Sequence, residues 1–414
     1  MMNPWPVIRA ALTRHRFSAL AFVLLVAAGV ALAVAILSQE RALRSGSARA
    51  ADRFALIVAP PGSRTDALFT GVFLRPGASQ LLSPALTAKL LNDSRAAFVS
   101  PLAFGDSHRG APVVGVLAEL VEHLSGGLAQ GRVFKTRQEA VVGAVSPLQV
   151  GDRFKPVHGV HHGSQTDEGD GGDGGDDDPD THHLEITVVG RMKPTGSPWD
   201  RALLVPVELV WQLHQRPTGH APDSQQIGPP FDPQWTPGIP AAVVHTDKLA
   251  TAYQLRGVYT GAESMAFFPA EALLQLYAIM GDVRQLMSLL AVVTQALVLL
   301  AIIASVFILF RLLAPQFTTL RALGAPRRYV FSVAWGFTAL LVGVGVVAGL
   351  ASGYGLSFAI SAWLSRSSGI TLQPSLGESE LLVSLAIFCI GLALAALPAW
   401  RMQRLSLASA IKGE

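Results

Sequence analysis

The sequence predicts a membrane protein: four transmembrane α-helices, with a large α+β extracytoplasmic domain between the first and the second. Three observations predict this class. Half of the 414 residues are hydrophobic and the mean hydropathy is positive, which exceeds an ordinary soluble domain. Four apolar runs are long enough to cross a bilayer. Between the first two of them, strand-like and helix-like patterns alternate, broken by Pro and Gly.

Residues 1–16 form a short N-terminus ahead of the first span, 17–37, whose sequence FSALAFVLLVAAGVALAVAIL carries no charge. At about 1.5 Å per residue it crosses a hydrocarbon core of about 30 Å. A cleaved signal peptide is the rival reading, because Arg14, His15 and Arg16 precede the run. The apolar region is longer than the usual ~7–15 residues, and the small-residue SARA lies well downstream, so an uncleaved anchor is expected.

Residues 38–268 read as the outer domain. RFALIVAP (53–60), AAFVSPLAF (96–104), QEAVVGA (138–144), LEITVVG (184–190), RALLVPVELV (201–210) and PAAVVHT (240–246) have strand character. SPALTAKLLND (83–93) reads as a helix, with Ser83 as cap, Pro84 in the first position and Leu86, Leu90 and Leu91 on one face. APVVGVLAELVEHL (111–124) begins as a strand and turns helical, and Pro and Gly crowd a loop over 216–240.

From Pro269 the pattern becomes helical. Residues 269–285 read as an amphipathic stalk that continues into the second span, 286–313; a kink at Gly281 giving two helices is the alternative. A short link, 314–329, leads to the third span, 330–360. A loop over 361–379 precedes the fourth span, 380–400, and a tail, 401–414. Arg9, Arg14, Arg16, Arg311, Arg321, Arg327, Arg328, Arg401, Arg404 and Lys412 all fall on one side if both termini are cytoplasmic, as the positive-inside rule requires. Trp335, Trp363 and Trp400 lie at or near span ends, where interfacial anchors belong.

Several function classes are excluded or disfavoured. The lone Cys389 cannot form an internal disulfide and reads as a small buried hydrophobe. Net charge is only +3, and the arginines are scattered or flank spans, so no nucleic-acid partner is expected. No G-x-S-x-G, HExxH or CxxC occurs, and an enzyme is not expected. His108, His123, His214, His220 and His245 are dispersed and read as surface or core histidines. Ionisable residues are nearly absent from the apolar runs, which argues against a secondary transporter.

Two features invite closer reading. Gly345, Gly349 and Gly353 lie four apart on one face of the third span, a spacing that permits close helix approach, either within the chain or between copies. The stretch HGVHHGSQTDEGDGGDGGDDDPDTHH (158–183) has five histidines, eight acidic residues and no Lys or Arg. Nothing in it can build a core, and a solvated disordered insertion in the outer domain is one reading. Weak, reversible metal capture by His158, His161, His162, His182 and His183 is the other, with zinc as the metal.

The link and the chain end then show a resemblance. TLRALGAPRRYVF (319–331) looks like the coupling segment of FtsX-like ABC permeases, the group that includes MacB, LolC and LolE. ALPAWRMQRLSLASAIKGE (396–414) is similar to that family's terminal segment, and the order of one span, an outer domain and three spans matches. Residues 128–154 and 188–210 resemble parts of the MacB-like periplasmic core domain. The resemblance implies a mechanotransmission permease in the bacterial inner membrane, and coupling to an ATPase through Leu320, Arg321, Ala322, Leu323, Gly324, Ala325, Pro326, Arg327 and Arg328.

No G-x-x-x-x-G-K-[ST] loop is present, so no intrinsic cofactor is expected and ATP would be bound by a separate cytoplasmic ABC ATPase subunit. A second permease copy, in a homo- or heterodimer, and a periplasmic lipoprotein or binding protein complete the implied partners. Two other readings stay open: an FtsX-like signalling scaffold that activates a periplasmic enzyme, and a membrane-anchored metal-binding protein without an ATPase.

Overall fold

The computed structural model describes residues 3–404 except 76, 78, 79, 160–183 and scattered positions between 280 and 318. Its helices are, in chain order, α1 (Trp5–Arg14), α2 (Arg16–Ala51), α3 (Arg64–Gly71), α4 (Pro84–Leu91), α5 (Ala118–Ser125), α6 (Val207–Leu213), α7 (Leu249–Val258), α8 (Pro269–Ile279), α9 (Arg327–Ser368) and α10 (Glu378–Arg404). The strands are β1 (Leu56–Ala59), β2 (Phe98–His108), β3 (Ala111–Val116), β4 (Leu128–Gly131), β5 (Glu139–Val142), β6 (Arg153–Phe154), β7 (Val157–His158), β8 (Ile186–Met192), β9 (Leu203–Pro206), β10 (Ala241–His245) and β11 (Met265–Phe267). The chain divides into two compact units: Met1–Arg44 with Gly281–Trp363 and Leu372–Glu414, and Ser45–Met280 with Leu364–Thr371.

The first unit is helical. Among the described residues, three helices are long and apolar enough to cross a membrane: α2, α9 and Glu378–Ala396 of α10. The chain is therefore a membrane protein. Most of the expected second span, 286–313, lies outside the described residues; those positions that are described are helical.

Packing between α2 and α9 follows a four-residue period. Gly345, Gly349, Gly353, Ser357 and Ser361 of α9 are all buried. Opposite them, Val26, Val30 and Val34 of α2 are also fully buried. A Cβ on Gly345 would meet Val26 Cβ at 2.7 Å, and one on Gly349 would meet Val30 Cβ at 2.6 Å and the Ala27 carbonyl at 2.7 Å. Glycine is needed here for closeness, since the next helix occupies the space a side chain would take. Farther along, the small residues become polar: Ser357 Oγ donates to the Ala35 carbonyl at 3.5 Å, and Ser361 Oγ to Gln39 Oε1 at 3.0 Å. The predicted glycine face is thus covered within the chain.

Arg41 of α2 fixes the start of α10. Its guanidinium contacts both oxygens of the buried Glu380 carboxylate at 2.9 Å and donates to the Ser375 carbonyl at 2.9 Å. Glu380 also accepts from the Gly377 backbone N–H at 3.0 Å, so one carboxylate caps the helix and neutralises the arginine. Cys389, expected to be buried, is instead exposed on α10. Ser384, Ile387 and Ala395 take the inward face, which leaves residue 389 pointing away.

The second unit is an α+β domain, whose sheet has eleven strands among the described residues. The main path runs β11-β1-β10-β2-β3-β9-β5-β8-β4, with β6 on β8 and β7 on β2. β3–β9 and β5–β8 are parallel pairs. Strands β1, β9 and β10 are short apolar runs because both their faces are covered, whereas β8 alternates buried and half-buried residues. In β1, Ile57 and Ala59 face one core with Leu68 of α3, Leu120 and Leu124 of α5, and Trp199. Leu56 and Val58 face the other, with Leu90 of α4, Leu209 and Trp211 of α6, and Tyr259. Ser83 caps α4 as expected, its hydroxyl accepting from the Leu86 N–H at 3.3 Å.

The reading of 201–210 as one strand is corrected. Residues 203–206 are strand β9, but 207–213 are helix α6. Pro206 has no N–H to extend the ladder, and Glu208 sits in the first helical turn, where a carboxylate is favoured.

The α2–α9 packing is open to direct test. Gly349→Val should lower the thermal stability of the detergent-solubilised protein by the equivalent of about 1–3 kcal/mol, because overpacking must push α9 off α2. The matched control is Val347→Leu, at an exposed position of the same helix, which should change the melting temperature little.

A second test uses acid. Arg95 and the Tyr259 hydroxyl hold the Asp93 carboxyl at about 2, below its ordinary 3.8. Arg132, with the Lys135 N–H, holds Glu139 at about 2, below 4.5. Depressed carboxylates stabilise the fold above their unfolded values and lose that contribution as pH falls toward 2. Melting temperature should therefore fall between about pH 4.5 and 2, and fall less steeply in Asp93→Asn/Glu139→Gln, as measured by circular dichroism.

Candidate coupling hairpin and the predicted histidines

The segment 320–328 folds as a tight turn between helices. The described residues Thr319–Ala322 are helical and α9 starts at Arg327. The Ala325 N–H donates to the Leu320 carbonyl and the Gly324 N–H to the Arg321 carbonyl, each at 3.0 Å. With Gly324 at φ +90, this is the paired-bond ending that a glycine accommodates without strain. Pro326 follows, unable to continue the preceding helix, and its carbonyl accepts from Tyr329 N–H at 2.9 Å to open α9.

The turn has two faces. Leu320, Ala325, Tyr329 and Phe331 pack against the helical core, and Tyr329 Oη donates to the Asn3 carbonyl at 3.2 Å. Ile8 and Ala11 of α1 belong to the same core. On the outward side Leu323 is 81% exposed, with Ala322, Gly324, Pro326, Arg327 and Arg328 exposed beside it and Arg321 half-buried. An apolar knob flanked by cations suits an apolar groove with an acidic rim. It carries no nucleophile, acid or base.

Of the histidines singled out in the sequence, His158 is described; His161, His162, His182 and His183 lie outside the described residues. β6 pairs antiparallel with β8 on either side of this stretch, Phe154 opposite Ile186. His158 lies on β7 directly across from Asp106 of β2. His214, at the C-terminal cap of α6, comes to the same place. Its Nε2 and His158 Nδ1 each lie 3.6 Å from Asp106 Oδ1.

Asp106 and His214 carry no functional signal in the sequence, where His214 reads as an ordinary surface or core residue. The three are far apart along the chain, so no spacing marks them. His123 and His245 also meet, with ring centroids 4.1 Å apart, and burial, with His123 beside it, pushes the His245 imidazole below its ordinary value.

Comparison with known proteins gives a match for the part of the chain that contains the 320–328 turn. No curated protein matches the chain. The model of the FtsX-like permease C-terminal domain matches residues 288–407, which takes in the hairpin, α9 and α10, and leaves nearly all of the α+β unit outside the match. Over that part of the chain the match supports an FtsX-like permease domain.

Proposed function

We propose that the chain is the membrane subunit of an ABC transporter of the FtsX/MacB/LolC type, working with a separate cytoplasmic ATPase. The observation that carries the reading is the FtsX-like match over 288–407, with a preformed hairpin inside it that exposes Leu323 between cations. In this reading 320–328 docks on the ATPase, and ATP-driven movement there is passed along the long helices. With four spans, both termini lie in the cytoplasm of a bacterial inner membrane, and residues 38–268 form a MacB-like periplasmic domain joined to the membrane by the stalk 269–285. A second permease copy completes the membrane part, and substrate is handled on the periplasmic side. The stretch 158–183 belongs to that side as a metal-capture segment, with zinc as its metal.

The test is co-expression with the cognate ABC ATPase. Arg321→Glu/Arg327→Glu/Arg328→Glu should lower co-purification and stimulated ATPase activity about tenfold or more, the equivalent of about 1.4 kcal/mol of lost docking energy. Leu323→Glu should act in the same direction, since it places a charge where an apolar pocket is expected. Full assembly and full stimulation in the triple variant would remove the coupling assignment.

A further inference from the structure

We propose that Asp106, His158 and His214 form a binding site for a divalent transition-metal ion in the α+β unit, with zinc as the ion of choice. The site rests on these three side chains and does not depend on the permease reading. It deepens the metal reading by moving the ligands from the 161–183 stretch to the strands and helix at its base.

Two of the three ligand spacings are close to those of a loaded site. One ligand atom from each residue lies within 4.8 Å of the other two. Both histidine nitrogens are 3.6 Å from Asp106 Oδ1. Ligands on a tetrahedral zinc, with bonds of about 2.0–2.1 Å, stand about 3.3 Å from one another. A contraction of a few tenths of an ångström brings both histidines to that spacing from Asp106. The His158 side chain is 56% exposed, so its ring has room to make that movement, while Asp106 is buried and held in the sheet.

The surroundings prepare the donors. His214 Nδ1 lies 2.8 Å from the Val210 carbonyl, which can only accept, so Nδ1 carries the proton and donates. Nε2 is then the atom aimed at Asp106, in the orientation that a backbone carbonyl commonly gives a metal-binding imidazole. Gly105 makes the approach possible. A Cβ there would land on Nε2 and Cε1 of the His214 ring.

The register shift between Ala103 and Asp106 marks a bulge in β2, a device that re-aims the side chain that follows it. The Gly105 carbonyl accepts from Gly159 N–H at 2.8 Å, and Ser107 Oγ donates to the Gly159 carbonyl at 2.7 Å, which pins β7 and His158 beside β2.

The donor set selects the class of ion. Two imidazoles and one carboxylate suit zinc, nickel, copper or cobalt; calcium and magnesium prefer oxygen alone. Three protein ligands leave a coordination position open, as in exchangeable sites and unlike closed structural ones. The same geometry without a metal would serve as an ion pair between Asp106 and protonated imidazoles, which is the rival outcome of the test.

The experiment is isothermal titration of zinc chloride into tag-free, full-length protein in detergent. The expected result is one zinc per chain. That binding should survive in His161→Ala/His162→Ala/His182→Ala/His183→Ala and weaken at least tenfold in each of Asp106→Asn, His158→Gln and His214→Gln. His158→Gln changes an exposed side chain, so its loss of binding cannot be ascribed to unfolding; circular dichroism checks the other two. Cobalt loaded into the wild type should give visible d–d bands that His158→Gln alters. No zinc binding by the wild type, wild-type affinity in His158→Gln, or complete loss in the four-alanine variant would each overturn the proposal. ATPase co-purification, measured on the same preparations, reports on the permease reading separately and should be unchanged by the cluster variants.

Discussion

Close backbone approach between α2 and α9 is the constraint on which the helical unit depends. Within a bilayer, burying one apolar side chain against another gives little drive, because lipid is as apolar as leucine. What remains is contact at short range, and α9 supplies it by presenting a small residue at every fourth position from 345 to 361. Valines of α2 fill the resulting groove, and the serines at the far end exchange van der Waals contact for hydrogen bonds. Between α2 and α10 the Arg41–Glu380 pair neutralises a buried carboxylate and caps α10 in the same contact.

The α+β unit answers to a different requirement. In water the sheet is held by apolar burial, and both its faces are covered. Continuous apolar strands such as LIVA are the result, with alternate residues serving opposite cores. Such a sheet leaves polar side chains few places inside it. Asp106 is one of the few charged residues admitted, and the bulge, the glycine and the cap of α6 all converge on it.

Much of this architecture is legible in the residues themselves. Apolar runs locate α2, α9 and α10, because span length is set by the bilayer and little else. The Ser83–Pro84 start of α4 is legible because capping is a local affair of one hydroxyl and one N–H. The change from strand to helix after Pro206 is not, since VPVELV has an apolar pattern that fits either state and the sheet decides it. The exposure of Cys389 is hidden because an apolar run gives no sign of which face turns inward. The Asp106–His158–His214 cluster is invisible for a stronger reason. It is assembled by pairing of β7 with β2 and by the end of α6, contacts between distant parts of the chain that no local pattern encodes. The FtsX-like character, by contrast, sits in consecutive residues and can be read directly.

The turn at Gly324 has one more implication. Its backbone hydrogen bonds close on themselves, so the shape of the tip does not wait for a partner to define it. Binding there would lose little conformational entropy, and recognition would fall to the few side chains that point outward. Such a tip works as a fixed mount with interchangeable heads. If a partner docks there, as proposed, changes at residues 322, 323, 327 and 328 would alter which partner is accepted while the helices beneath keep their sequence and their fold.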